Sequence, residues 1–185
     1  MKALKTYLKR MKSNDKIPPR LPLIKILWSF IGSFVAIFLV ANLSRLNSFE
    51  MLDNLFLVTS FGASAVLVFG APQADYSQPR NLLGGHILSA IIGISVYEFL
   101  PFDITVLAAV AVSLSVVAMH LTRTLHPPGG ATALMGIIGS SDVHNLGYTF
   151  VITPITIGCL LILLVGLVVN NLSANPLRQY PKFWF

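Results

Sequence analysis

Charge is what this sequence has least of. Charged residues make up 11% of its 185 positions, less than half of the roughly one quarter typical of a soluble domain. That scarcity excludes an ordinary water-solvated surface. Acids are scarcer than bases, with 7 Asp and Glu against 13 Lys and Arg. The single cysteine, Cys159, excludes an internal disulfide and a thiolate metal cluster. Embedded in apolar sequence, it reads as a small core residue. Also missing is any histidine pair at helical ligand spacing with a carboxylate, so no metal is expected. There is no GxSxG turn, and no carboxylate is placed to orient a histidine beside Ser64 or Thr132. The chain is therefore expected to be neither an enzyme nor a cofactor carrier.

What is present is apolar sequence, 55% of the chain. Several stretches approach or exceed the ~20 residues a helix needs to cross a bilayer. The fold class is all-α integral membrane, divided into a basic tail at 1–22, a transmembrane domain at 23–172 and an interfacial tail at 173–185. Lys2, Lys5, Lys9, Arg10, Lys12, Lys16, Arg20 and Lys25 all precede or open the first span. Nucleic acid would suit such a tail, but the positive-inside rule explains it more simply as a cytoplasmic anchor on anionic lipid. The bilayer, not nucleic acid, is the expected partner. The tail has neither a cleavable signal nor a transit-peptide composition. This favours a bacterial plasma membrane, with both termini cytoplasmic.

Six segments are predicted, at 24–43, 53–70, 81–100, 104–122, 127–139 and 146–172. If all cross, Arg80, Arg123, Arg178 and Lys182 join the basic tail on one side, leaving only Arg45 opposite. The alternative is four spans with the second and fifth segments re-entrant. The fifth is short, since about 13 residues at ~1.5 Å each rise only about 20 Å. Six is preferred, with two short or broken members.

Two of these segments match. Gly62–Leu67 reads GASAVL and Gly130–Met135 reads GATALM. Each sits between two long spans, which suggests a three-plus-three repeat. Three is odd, so the second half is inverted, as in many transporters with a midplane site. Helices broken at Gly62 and at Pro127-Pro128-Gly129-Gly130 would expose free N–H groups and positive dipole ends to an anion. Broken backbone is tolerated in a membrane only where it lines a cavity or is buried in protein. The expected substrate-binding residues are Gly62, Ala63, Ser64, Gly129, Gly130, Ala131 and Thr132. Arg80, His86, Arg123 and His126 are expected to attract or gate the anion.

The runs LTRTLHPPGGATAL, SFGASAVLVFGAP, QPRNLLGGHILSA and the C-terminal NNL…YPKFW together resemble the HPP family of integral membrane proteins. The naming motif is His126-Pro127-Pro128. Plant chloroplast and cyanobacterial members are associated with nitrite transport, so the resemblance implies a transporter of nitrite or a related small anion. It also implies four transmembrane segments, where the residues favour six. The residues alone leave nitrate, formate and bicarbonate open.

Simpler roles exist for each candidate. The glycines could serve packing, Ser64 and Thr132 could bond back one turn, and the arginines could snorkel. His126 could cap a helix or, with His86, carry a coupled proton. Gly85, Ser89 and Gly93 form a small-residue face suited to internal packing or a homo-oligomer contact. The rivals to a carrier working by alternating access are a passive anion channel and a non-transporting sensor or assembly subunit.

Overall fold

The computed structural model describes residues 2–11, 17–46 and 51–185. Lys12 and Lys16, used in the charge reading above, lie outside the described residues. Among the described residues there is no strand. Helix α1 (Lys2–Arg10), exposed from Leu4 to Arg10, precedes the bundle. The long helices are α2 (Leu23–Leu46), α3 (Met51–Ala65, continued by a π-helical turn Val66–Gly70), α4 (Pro79–Phe99), α5 (Ile104–Thr122) and α8 (Ile157–Leu172, entered through Val151–Thr156). Between α5 and α8 lie the short α6 (Pro128–Ile138) and α7 (Ser141–Leu146). Five helical stretches are long and apolar enough to span a membrane, and α6 is a shorter apolar helix.

Contacts fix the running directions. The start of α2 meets the end of α3, where Ser29 Oγ donates to the Phe69 carbonyl at 2.7 Å. The start of α4 meets the end of α5, where Arg80 Nη2 donates to the Thr122 carbonyl at 2.7 Å. Helices α4 and α6 run the same way: Gly85 lies against His126 and Gly129, while Gly93 lies against Ala133 and Gly136. Helix α3 opposes α6, since Asp53 near its start holds Ser140 and Ser60 further on reaches Pro128. Helix α8 follows α3, with Gly158 against Phe61 and Gly166 against Val68. Successive segments α2, α3, α4, α5, α6 and α8 therefore alternate in direction. This is the six-segment arrangement with a short fifth member. At 11 residues, α6 rises only about 16 Å, roughly half of a bilayer core.

The break before α6 is where the sequence puts it. Arg123 ends α5 in the left-handed conformation (φ 57°), and its N–H bonds the His120 carbonyl at 3.2 Å. Residues 124–126 then run back along α4 without helical structure. Asn81 Nδ2 satisfies the Leu125 carbonyl at 2.8 Å. Pro128 opens α6, where its missing N–H costs nothing.

The other expected break differs. Helix α3 runs through Gly62 without interruption, because one helical glycine costs only about 1 kcal/mol. The irregularity falls later, in the π turn before Ala71-Pro72, because Pro72 has no N–H to continue the helix. The Val68 carbonyl this frees accepts from Asn170 Nδ2 at 3.0 Å, and the single hydrogen of the Ser77 hydroxyl is shared between the Leu67 and Ala71 carbonyls at 2.9 and 2.8 Å. A further break lies inside the last segment, where Thr153 leaves helical geometry ahead of Pro154.

The C-terminal tail, expected at the membrane interface, folds back onto the bundle. Arg178 is only 3% exposed. It donates to the carbonyls of Lys25 and Phe69, to Ser29 Oγ and to Asn170 Oδ1. Tyr180 Oη donates to the Ser77 carbonyl at 2.8 Å. The opposite end of the bundle is tied at Asp53, which is buried and accepts from the Ser140 N–H and hydroxyl. Helix α5 is capped by Asp103, whose carboxyl is held below the usual carboxylate range by the Thr105 hydroxyl and the Val106 and Thr105 N–H groups.

The small-residue face Gly85, Ser89 and Gly93 is occupied inside the chain, against α6. A methyl at Gly93 would lie 2.5 Å from the Ala133 carbonyl oxygen, whereas one at Gly62 meets nothing within 4 Å. Gly93→Ala should therefore destabilise the protein by about 1–3 kcal/mol through overpacking. Gly62→Ala should stabilise it by roughly 0.5–1 kcal/mol. Thermal unfolding of the two variants in detergent checks the opposite signs.

Candidate functional site

Helices α3, α4 and α6 converge on a cluster of hydroxyls and imidazoles with almost no exposure. Ser64, His86, His126 and Thr132 are each 0% exposed, and Ser60 is 2% exposed. The four-residue spacing of Ser60 and Ser64 puts both hydroxyls on one face of α3. His86 follows Gly85 on α4, and the lack of a side chain at Gly85 lets His126 approach. His126 reaches inward because the segment before α6 is extended; as part of a continuous α5 it could not lie beside α4 at this level.

His86 stands at the centre. Its Nε2 is 2.7 Å from Ser64 Oγ and its Nδ1 is 2.7 Å from Thr132 Oγ1. The two matched hydroxyls of GASAVL and GATALM thus hold opposite nitrogens of one ring. Ser64 Oγ also lies 2.9 Å from His126 Nε2, and His126 Nδ1 lies 2.7 Å from the Tyr76 carbonyl oxygen. Ser60 Oγ lies 2.9 Å from Thr132 Oγ1 and 3.1 Å from the Pro128 carbonyl oxygen. The rings of His86 and His126 have centroids 5.0 Å apart, and Phe61 covers His86 at 5.2 Å. Such a cluster is stable in an apolar interior only if every member has partners.

The other predicted residues divide. Ala63, Pro127, Pro128 and Ala131 line a groove of about 460 Å³ with Val66 and Leu67, between α3 and α6. A methyl at Gly62 would meet nothing within 4 Å, while one at Gly130 would come 3.9 Å from Val112 of α5. Gly129 is buried, packed against Gly85 and Ser89. Its N–H already bonds the His126 carbonyl at 2.8 Å, and that of Gly130 bonds Pro127 at 3.1 Å. The first turn of α6 therefore offers fewer free donors than expected, and the side-chain hydroxyls and imidazoles take that place. Arg80 and Arg123 stand outside the cluster: Arg80 holds the end of α5, and Arg123 is exposed. Among the described residues no three His, Cys, Asp or Glu side chains group as metal ligands.

The family description HPP, transmembrane region, matches residues 18–181. The chain belongs to the HPP transmembrane family. Two relatives of this HPP protein are transmembrane proteins of Dictyostelium discoideum. The first, transmembrane protein DDB_G0273707/DDB_G0273361, is 42% identical over 97% of the chain. The second, transmembrane protein DDB_G0269096, is 40% identical over 93%. The chain spans 57% and 60% of the lengths of these curated relatives. No solved structure matches it.

Sequence reasoning missed Ser60 and the Tyr76 carbonyl. Ser60 was legible in principle, one turn before Ser64 on the same face. Nothing local marks the Tyr76 carbonyl, which is presented by the loop before α4.

Ser64→Ala leaves one nitrogen of each imidazole without its partner, so a loss of about 2–4 kcal/mol in stability is expected. Thr59→Ala, which removes only an exposed bond back to Leu55, should cost less than about 0.5 kcal/mol. Unfolding curves of the two variants provide the comparison.

Proposed function

We propose that this protein is a transporter, not an enzyme, for a small inorganic anion, with nitrite the favoured substrate. The observation that carries the reading is the buried cluster in which Ser64 and Thr132, from the two matched stretches, clasp His86 from opposite sides. It is uncharged, rich in N–H and O–H donors and free of carboxylates. Those properties suit a small anion and disfavour a cation. The groove between Ala63 and Ala131 lies on the outer side of the same two helices. Parting α3 from α6 would open the donors to it.

Alternating access is the mechanism that two inverted halves would support. Helix α2 packs on α3 and α8, and α5 packs on α6 and α4. A two-fold relating α2, α3 and α4 to α5, α6 and α8 would exchange these pairings. Membership of a family with nitrite-associated members supports the substrate. The distribution of Lys and Arg supports cytoplasmic termini.

The test is saturable uptake of isotope-labelled nitrite into proteoliposomes, buffered alkaline enough to suppress leak of the neutral acid. Ala131→Phe, which fills the groove, should reduce uptake to the level of empty liposomes. Flux of the unaltered protein no greater than that of empty liposomes would remove nitrite. A rate that rises linearly with concentration without saturating would favour a channel.

A further inference from the structure

The cluster lies between two backbone carbonyls, those of Pro128 and Tyr76, and its hydrogens can be counted. Six contacts join five groups in series: Pro128 O to Ser60 (3.1 Å), Ser60 to Thr132 (2.9 Å), Thr132 to His86 Nδ1 (2.7 Å), His86 Nε2 to Ser64 (2.7 Å), Ser64 to His126 Nε2 (2.9 Å) and His126 Nδ1 to Tyr76 O (2.7 Å). Three hydroxyls and two neutral imidazoles supply five hydrogens for those six contacts.

The direction of the chain is fixed at one end. A carbonyl only accepts, so His126 Nδ1 donates to Tyr76 and His126 Nε2 is bare. Ser64 must then donate to His126 and accept from His86 Nε2. His86 Nδ1 is bare in turn and takes the Thr132 hydrogen, and Thr132 accepts from Ser60. All five hydrogens point toward Tyr76, and the contact of Ser60 with Pro128 is the one left empty.

One added proton fills it. Doubly protonated His86 donates from Nδ1 to Thr132, the Thr132 hydroxyl turns to Ser60, and Ser60 turns to the Pro128 carbonyl. No heavy atom needs to move. A proton on His126 would leave Ser64 only the longer contact to the Ser60 carbonyl at 3.4 Å, so the form on His86, with its outlet at 3.1 Å, dominates. A second proton would set two imidazolium rings 5.0 Å apart in an apolar interior, where like charges repel strongly.

Among the described residues no lysine, arginine or carboxylate contacts either ring. On α4, Arg80 is committed to Thr122. On α5, Met119 Sδ accepts the His126 N–H, while His120 is exposed, and Arg123 beyond its end is exposed too. At the far end of α3, Asp53 is committed to Ser140, and Cys159 on α8 faces the Leu82 carbonyl. A proton here lacks a counter-charge from the protein, and a bound anion supplies one. We propose that the chain from Ser60 to His126 binds a single proton together with the transported anion, so that proton and anion move as a neutral pair. This rests on the anion-transporter reading above.

The experiment combines two readouts on the full chain in liposomes. Nitrogen NMR of ¹⁵N-histidine-labelled protein, titrated with acid, should show one imidazolium shared by His86 and His126. It should form at a less acid pH with nitrite than with gluconate. Ser60→Ala removes the outlet for the displaced hydrogen while leaving the neutral chain from Thr132 to Tyr76. It should shift that titration about one pH unit toward acid, and Ser60→Thr should restore it. Nitrite uptake should accelerate with acid outside and be indifferent to membrane potential. Two imidazolium ions, none, or a Ser60→Ala titration equal to that of the unaltered protein would overturn the single-proton site. Uptake driven by voltage and blind to the pH gradient would overturn the coupling while leaving the anion-transporter reading in place. An intact titration that ignores nitrite, with no flux of any small anion, would overturn the coupling through failure of that reading itself.

Discussion

Everything around the centre of this protein answers to one requirement: two imidazoles and three hydroxyls have been taken out of water, and each must find its partners within the chain. An unpaired polar group in such an interior costs about as much as a good core contact contributes. The partners come from three different helices and from the two connections that carry Tyr76 and His126. The cluster therefore fixes the relative depth of α3, α4 and α6 far more tightly than apolar packing between smooth helices could. Apolar contacts tolerate a slide of an ångström, whereas a hydrogen bond of 2.7 Å does not.

That requirement explains the oddest stretch of the chain. LTRTLHPPGGATALMG spends five residues getting from the end of α5 to the start of α6. The left-handed Arg123 stops α5, and the extended residues carry His126 inward beside Gly85. The prolines and glycines then restart a helix that packs directly on α4, with Gly129 against Gly85 and Gly136 against Gly93. Shortening α6 is the cost of placing an imidazole in the protein's middle. The Leu125 carbonyl and the His126 N–H released by the break are reclaimed by Asn81 and Met119, and the N–H groups of Arg123, Thr124, Gly129 and Gly130 by the turns on either side, as broken backbone in a membrane requires.

A second polar assembly stabilises the end where the bundle begins and finishes. The Arg178 guanidinium gathers carbonyls and side chains from α2, the π turn of α3 and α8. It sits at the carbonyl ends of α3 and α8, whose partial negative charge favours a cation, with the start of α2 alongside. The two assemblies share no residue. The outer one closes the bundle, and the inner one sets the register of the helices that carry the site.

The sequence by itself determined the membrane class, the six segments and most of their bounds, because apolar runs and proline breaks are local properties. It also picked out Ser64, His86, His126 and Thr132, because polar groups in lipid-compatible helices stand out. It placed one break at Gly62, where the helix is in fact continuous, since a glycine permits a break without imposing one. Pro72 and Pro154 impose theirs by lacking an N–H. Only the tertiary structure decided that the two matched hydroxyls meet on one ring, that Ser60 and the Tyr76 carbonyl complete the chain, and that Arg178 belongs to the interior. Those choices depend on which faces of separate helices come together at which depth, and that is set by long-range packing and by hydrogen-bond partners that no stretch of local sequence contains.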